Sequence, residues 1–189
     1  LVNYDYNGAG EVVGTTYDEP DVMWTLYGST SGTYPDLDIF NRVTSSRWTK
    51  DLATDVDFYD LDLSYDRNSN ITWAEDNVHA GYDVKYTIDD IDRLTEAEEG
   101  TRSGSSITSQ TRDEAWSLDQ VGNWATNQLD LNGDADYLDS EELDEIRTHN
   151  DVNEITGRDI DNNESFEYEP TYDAVGNLTD DKEIYEYEY

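Results

Sequence analysis

A short turn motif recurs seven times along the 189-residue chain. Each copy has an Asp or Asn anchor, two variable residues, a small or polar residue, a polar residue, an apolar residue and then Thr or a similar residue. The copies begin at residues 6, 37, 65, 88, 118, 149 and 172, so that successive copies are 23 to 31 residues apart. Self-similarity at such a period is typical of a repeat architecture in which each unit stacks on its neighbours.

The motif predicts hairpin turns, and the stretches beside it predict strands. In the last copy, Asp173 can bond nearby backbone, and Gly176-Asn177 can take positive φ. Apolar and polar residues alternate in Val56 to Tyr65, and aromatic and acidic residues alternate in Ile184 to Tyr189, which is the period of a strand. We therefore expect an all-β fold in which repeated β-hairpins form one continuous twisted sheet.

The residues that carry this expectation are spread over the seven copies. They are Tyr6, Gly10, Asp38, Arg42, Tyr65, Asp66, Asn70, Asp89, Arg93, Asp119, Gly122, Asn123, Asn150, Tyr172, Asp173, Gly176 and Asn177. Their even distribution predicts a single repeat array over residues 1–189.

The copy at Tyr172 to Thr179, YDAVGNLT, resembles the RHS or YD-repeat family, whose hallmark is Tyr-Asp-x-x-Gly-Arg/Asn-Leu-Thr followed by a Tyr-x-Tyr strand. The resemblance covers essentially the whole chain. It implies hairpin ribbons that spiral into a hollow shell or barrel, around a cargo in bacterial toxins, or as part of an adhesion receptor in animals. The chain departs from the pattern at Glu11, where the family has Arg or Asn, and at Trp124-Ala125, which replace Leu-Thr.

The charge of the chain restricts its partners. With 11 Lys and Arg against 46 Asp and Glu, the formal net charge is −35, so we expect neither nucleic acid binding nor contact with anionic membranes. No run approaches 18 apolar residues, so no membrane insertion is expected. The 15 Tyr and only three Pro favour a folded β protein over a disordered one.

The sequence does not predict an enzyme. The chain has no Cys, two His, no phosphate-binding glycine loop and no constellation of nucleophile, base and oxyanion donors. The Asp-Pro-x-Gly motif of the family's self-cleaving aspartyl site is also absent, because Pro20, Pro35 and Pro170 follow Glu19, Tyr34 and Glu169.

An acidic stretch at residues 130–142 resembles the EF-hand calcium loop, which gathers six to eight oxygen ligands. The candidate ligands are Asp130, Asn132, Asp134, Asp136, Glu141 and Glu142. Position 6 of the loop is Ala135 where Gly is usual, and a metal-free acidic hairpin tip is the alternative. A bound Ca²⁺ would be structural. Residues 140–147 are predicted to form a short helix after the loop, and Arg158 to Glu169 a polar linker.

Three functions remain open from the sequence. The first is a non-catalytic wall segment of an RHS-type shell, secreted or at the cell surface, which contacts further repeats of a longer chain and encloses a toxin domain. The second is a protomer of an extracellular fibre that continues its sheet through Leu1 to Tyr6 and Ile184 to Tyr189, so that its partners are copies of itself. The third is a calcium-dependent cell-surface adhesion module. The chain is thus expected to be an excerpt or a polymerising unit.

Overall fold

A computed structural model describes residues 1–26, 34–50, 54 and 56–182. The described residues form fourteen strands and no helix, which confirms the predicted all-β fold. The predicted strand at Ile184 to Tyr189 lies outside the described residues. The strands are β1 (Val2–Tyr6), β2 (Val12–Tyr17), β3 (Val22–Thr25), β4 (Ser45–Lys50), β5 (Val56–Tyr65), β6 (Ile71–Asp76), β7 (Asp83–Ile88), β8 (Leu94–Ser103), β9 (Ser106–Leu118), β10 (Trp124–Asp130), β11 (Leu143–His149), β12 (Ile155–Asp159), β13 (Thr171–Tyr172) and β14 (Leu178–Asp180).

The strands pair in the order in which they occur in the chain. One sheet contains β1 to β12 in that order, and β13 pairs with β14 in a separate two-stranded sheet. The expected array of consecutive hairpins is therefore present, and the seventh motif copy closes a hairpin of its own. A linear order leaves β1 at one end of the sheet, with all five of its residues exposed.

A bulge lies beside the motif turn in each of several hairpins. The register shifts next to Tyr6 in the first hairpin, next to Tyr65 between β5 and β6, and next to Tyr172 in the last. A bulge adds one residue to one strand and increases the local twist. The motif tyrosines therefore stand where the turn joins the regular ladder.

The chain divides into two compact units. Unit 1 comprises residues 1–85 and 100–108. Among its described residues, the buried apolar ones are Val13, Leu26 and Ala74. Trp48 lies at the centre of a group of aromatic rings, with ring centroids 6.4 Å from Tyr17, 6.5 Å from Trp24 and 6.4 Å from Phe58.

Unit 2 comprises residues 86–99 and 109–189. Its fully buried side chains are acidic: Asp130 and Glu145 are 1% exposed and Asp159 is 2% exposed. Buried carboxylates are stable in a protein only where charges or hydrogen-bond donors compensate them. Arg147 and Arg158 both bind Glu145, at 2.7 and 2.6 Å. The two Arg side chains therefore compensate the most deeply buried Glu of unit 2.

Two local predictions near the acidic stretch are wrong. Residues 143–149 form strand β11 and not the second half of a helix, because they pair with β10 on one side and β12 on the other. Helix propensity is a weak preference that sheet pairing overrides. The expected linker, Arg158 to Glu169, begins inside the sheet, because Arg158 and Asp159 are the last two residues of strand β12. Among the described residues no helix exists that is long and apolar enough to cross a bilayer.

Candidate functional site

Each motif turn is held by the side chain of its anchor residue. In the last copy, Asp173 Oδ1 accepts the N–H groups of Val175 and Asn177, both at 2.9 Å. Asn177 Nδ2 donates to the other carboxylate oxygen at 2.8 Å. These donors, the Asn177 N–H foremost, lower the pKa of Asp173. One side chain therefore fixes the backbone of all five turn residues.

The other Asp anchors make the same contacts. Asp38 accepts from the N–H of Arg42 at 2.9 Å and from its Nε at 2.6 Å. Asp89 and Arg93 repeat this arrangement at 2.9 and 2.7 Å. The remaining pairs, Asp66 with Asn70 and Asp119 with Asn123, use the Asn amide as the donor. The fifth residue of the turn, counted from the anchor, is thus Arg or Asn wherever the anchor is Asp, and either side chain donates to that anchor.

Two turns have Asn anchors, and in both the last residue is Glu. Asn7 Nδ2 donates to Glu11 Oε2 at 2.6 Å, and Asn150 Nδ2 donates to Glu154 Oε2 at 2.6 Å. An amide anchor supplies the donor, so its partner has to be an acceptor. Glu11, which departs from the family pattern, therefore conserves the hydrogen bond by exchanging donor and acceptor. The sequence contained this signal, since Asn anchors pair with Glu in both cases.

The fourth residue of every turn has positive φ. Gly occupies this position at Gly10, Gly122 and Gly176, with φ of 86°, 96° and 90°. Asn, Ser or Asp adopts the same conformation in the other four turns, at Asn41, Ser69, Asp92 and Asn153. Short polar side chains tolerate the left-handed region better than other non-Gly residues. The turn geometry is therefore uniform although the motif is not.

Neighbouring turns contact one another within each unit. In unit 1, Arg42 Nη1 donates to the carbonyl of Asp66 at 3.1 Å, and Tyr65 Oη donates to the carbonyl of Val43 at 2.6 Å. The Arg42 guanidinium also lies over the Tyr65 ring at 4.5 Å. In unit 2, Arg93 Nη1 donates to the carbonyl of Asp119 at 2.6 Å. Neighbouring turns are therefore joined by hydrogen bonds, as neighbouring strands are.

The predicted calcium loop is closed by Asp130. Its carboxylate accepts the N–H groups of Asn132, Gly133 and Ala135 at 2.9, 2.5 and 2.8 Å. Burial disfavours the charged form, yet these donors outweigh burial and lower the pKa of Asp130. Ala135 has φ of 65°, so it takes the conformation that the calcium motif requires of Gly.

The other candidate ligands of this loop bond to loop groups. Asn132 Oδ1 accepts from the N–H of Asp134 at 2.9 Å, and Asp134 Oδ1 accepts from that of Asp136 at 2.9 Å. Glu142 accepts from the N–H of Leu131 at 2.9 Å, and Glu141 has φ of 76° and is exposed. The loop is thus a series of side-chain-to-backbone turns.

A second loop of the same kind follows β12 in the expected linker region. Asp159 accepts the N–H groups of Asn163 and Glu164 at 3.2 and 2.9 Å, and Glu164 has φ of 69°. Carboxylate oxygens of Asp159, Asp161 and Glu167 all lie within 4.8 Å of one another. Among the described residues this is the one such group of three acids, and an oxygen-preferring cation fits its donors.

Sequence reasoning missed this second loop, although its spacing repeats that of the first. Asp159, Asp161, Asn163, Ser165 and Glu167 are separated by single residues, as Asp130, Asn132, Asp134 and Asp136 are. This spacing was not recognised because the five positions carry four residue types, Asp, Asn, Ser and Glu.

Asp113 links the first loop to the sheet. It lies opposite Asp130 in the pairing of β9 with β10 and is 6% exposed. Its Oδ2 accepts from Tyr137 Oη at 3.2 Å, whereas Oδ1 has no hydrogen-bond partner in the described part of the chain. Burial, and then the charges of Glu96 and Glu98, raise the pKa of Asp113. Burial and the Asp113 charge also raise the pKa of Tyr137 to about 12.

Comparison with known proteins identifies a similar fold. No protein-family model matches the sequence, and no curated protein matches it. The solved structure described as "Crystal Structure of TcdB2-TccC3-TEV" matches with a TM-score of 0.56 and 12% sequence identity. The match covers 98% of this chain and 10% of that one. The similarity shows a shared fold over nearly the whole of this chain. This chain spans about a tenth of the length of the neighbour.

Proposed function

We propose that the chain is a non-catalytic structural repeat array, a wall segment of an RHS-type shell on the secreted or cell-surface side. The observation that carries the proposal is the uniform hairpin array, in which strands pair in chain order and each motif turn is closed by the same anchor contacts. The match to TcdB2-TccC3-TEV over nearly the whole chain, at 12% identity, supports the same architecture.

The distribution of buried residues also favours a shell wall rather than a domain that is folded around a single apolar core. The described apolar core of unit 1 is small, and the fully buried groups of unit 2 are acids. A domain that folds around one core buries mostly large apolar side chains. A sheet whose stability comes from strand ladders and turn contacts can extend by adding hairpins.

Negative-stain electron microscopy of the full-length gene product tests the proposal. A shell wall predicts hollow particles, with the hairpin array following their circumference. Solid particles without a lumen, in which this segment forms a separate compact domain, would contradict it. Density for a further domain inside the particles would show that the array encloses a cargo, and cell-killing activity of that domain would identify it as a toxin.

A fibre protomer is the second candidate, and the exposed strand β1 favours it. All five residues of β1 are exposed, and it stands at one end of the strand order. Such an edge offers hydrogen-bonding groups to a further strand, from the same chain or from another copy. Ordered filaments of the purified chain would favour this function over the shell.

We further propose a structural Ca²⁺ in the acidic loops, which is the element that a calcium-dependent adhesion module would require. The conformation of Ala135 and the proximity of Asp159, Asp161 and Glu167 support it. Isothermal titration with CaCl₂ tests it. Binding that Asp161→Asn weakens would support an ion in the second loop, and binding that Asp134→Asn weakens would support one in the first. No heat of binding at millimolar calcium would contradict both.

A further inference from the structure

The third residue of the motif turns is apolar in six of the seven copies. These residues are Ala9, Phe40, Ile91, Val121, Val152 and Val175, and Asn68 is the exception. In unit 2, Ile91 is 63% exposed, Val121 and Val152 are 70% exposed and Val175 is 82% exposed. We call these four residues the turn row.

The turn itself does not require an apolar residue at this position. The contact that closes the turn uses the backbone, since the N–H of Val121 or Val175 donates to the anchor at 2.9 Å. Turn tips in water usually carry polar residues, and β-branched side chains have no preference for them. Single exposed apolar residues are common, but their recurrence at one motif position indicates a shared contact.

Grooves lie between successive turns, and residues of the turn row line them. One groove of about 350 Å³ is lined by Ile91, Arg93, Leu118 and Asp119. Another, of about 540 Å³, is lined by Val152, Glu154, Val175 and their neighbours. In unit 1, a groove of about 670 Å³ lies in the corresponding place, between Phe40 and Tyr65. Grooves of this kind therefore lie at three of the steps between successive motif turns.

The spacing of the turns restricts what can bind along the turn row. The turns of Ile91, Val121 and Val152 close hairpins of the twelve-stranded sheet and are two strands apart, which is about 9.4 to 9.8 Å. A polyproline-II segment presents every third side chain on one face at about 9.3 Å. An α-helix presents every seventh at about 10.5 Å, a poorer match over several repeats.

The charges beside the turn row restrict the partner further. Asp90, Asp92 and Asp151 are exposed in the turns of unit 2, and Glu154 and Asp173 line a groove. The Arg93 guanidinium is already paired with Asp89. An acidic rim around apolar grooves favours a cationic ligand and disfavours a second copy of a chain with a net charge of −35.

We propose that the turn row of unit 2 binds an extended polyproline-II segment with an apolar side chain at every third residue and Lys or Arg between them. The apolar side chains contact successive residues of the turn row and enter the grooves beside Ile91 and Val175, and the cations face the carboxylates of the rim. This binding site is independent of whether the array forms a shell or a fibre.

Fluorescence anisotropy with a synthetic peptide tests the proposal. The probe is fluorescein-labelled (Leu-Pro-Arg)₅, and the control is a shuffled peptide of the same composition in which Leu does not recur at every third position. Both peptides carry the same charge, so non-specific attraction to the acidic chain affects them equally. We expect the shuffled peptide to bind about tenfold more weakly, a ratio within the range that a few apolar contacts provide.

Matched variants locate the site. The triple variant Val121→Ser/Val152→Ser/Val175→Ser should abolish the difference between the two peptides, whereas Val56→Ser/Tyr82→Ser, which changes exposed apolar residues of unit 1, should preserve it. Unchanged circular dichroism establishes that both variants fold. Equal binding of the two peptides, or full discrimination by the triple variant, would overturn the proposal. Self-association of the wild type that the triple variant abolishes would also overturn it, because the occupant would then be a second copy.

Discussion

The short motif turns and the long acidic loops of unit 2 are closed in the same way, by a side chain that accepts backbone N–H groups. The two regions differ in how deeply that side chain is buried. In the turns, an Asp or Asn that is in most copies half-buried accepts two backbone N–H groups, as Asp173 does. In the loops, Asp130 and Asp159 do the same, but they are 1% and 2% exposed. The comparison shows that a turn is defined by its own five residues, whereas a loop also depends on the sheet that covers its acid.

The two regions therefore differ in how much they tolerate substitution. Water replaces a lost hydrogen bond more easily at a half-buried turn than at a carboxylate that is 1% or 2% exposed. We expect substitutions in the loops to cost more than equivalent ones in the turns.

The largest effect is expected for Asp130→Ala. It leaves three backbone N–H groups without their acceptor at a buried position, and we expect a loss of about 4 kcal/mol in the free energy of unfolding. Urea denaturation followed by tryptophan fluorescence measures it. Asp134→Ala, at an exposed position of the same loop, is the control, and Asp173→Ala should cost clearly less than Asp130→Ala. An equal loss for Asp130→Ala and Asp173→Ala would refute the comparison.

Glycine substitutions separate steric overlap from backbone strain. A Cβ at Gly133 would overlap the backbone carbonyl of Gln110, and φ is 76°, so we expect Gly133→Ala to cost about 3 kcal/mol. Gly122 has φ of 96° but open space around it, so Gly122→Ala should cost about 1 kcal/mol. Gly8→Ala, with open space around it, is the control, and thermal unfolding measures all three. If Gly122→Ala were as costly as Gly133→Ala, overlap would not be the cause.

A double-mutant cycle tests the exchange of donor and acceptor in the turns. Asn150→Asp places a carboxylate opposite Glu154, and Glu154→Asn replaces the charged acceptor of Asn150 by the neutral amide of a shorter side chain, so each single variant should be less stable. The double variant recreates the Asp-Asn pair of the neighbouring turns and should recover about 0.5 to 1 kcal/mol of coupling energy. Denaturant titrations of the four proteins measure it. Additive effects would show that the two side chains do not interact.

The smallest effect concerns the pH dependence of stability. The pKa of Asp113 is raised in the folded state by burial and by Glu96 and Glu98, so ionisation of Asp113 destabilises the fold as pH rises above the unfolded-state pKa of about 3.9. Turn anchors act in the opposite direction: the pKa of Asp89 is lowered, chiefly by the N–H of Arg93, and its stabilisation is lost as pH falls.

Asp113→Asn should therefore increase the free energy of unfolding at pH 7 and leave it nearly unchanged at pH 3. Unfolding curves at a series of pH values measure the difference. Asp139→Asn, at an exposed loop position, is the control. Parallel curves for wild type and Asp113→Asn would show that the pKa of Asp113 does not depend on folding.

The hairpin array could be predicted from the sequence because its determinants are local. Residues such as Asp173 and Asn177 lie within one turn, and recurrence in seven copies repeats the signal. The partnership of Asn7 with Glu11 was present in the sequence too, but it is recognised only when hydrogen-bond roles, and not residue identities, are compared.

The loops could be predicted only in part. The spacing from Asp130 to Asp136 indicated a compact acidic loop, and its side chains do close successive turns. Burial of Asp130 opposite Asp113, and the pairing of residues 143–149 as a strand, depend on neighbouring strands that are distant in sequence. The acids from Asp159 to Glu167 looked like a linker because their spatial proximity arises from the fold of their loop.

The central claim is that all seven motif turns are equivalent closed units, whatever their anchor. Amide hydrogen exchange at the last residue of each turn tests it directly: the amides are those of Glu11, Arg42, Asn70, Arg93, Asn123, Glu154 and Asn177. The account predicts similar protection at all seven. Fast exchange at Glu11 and Glu154, with protection confined to the five Asp-anchored turns, would contradict it.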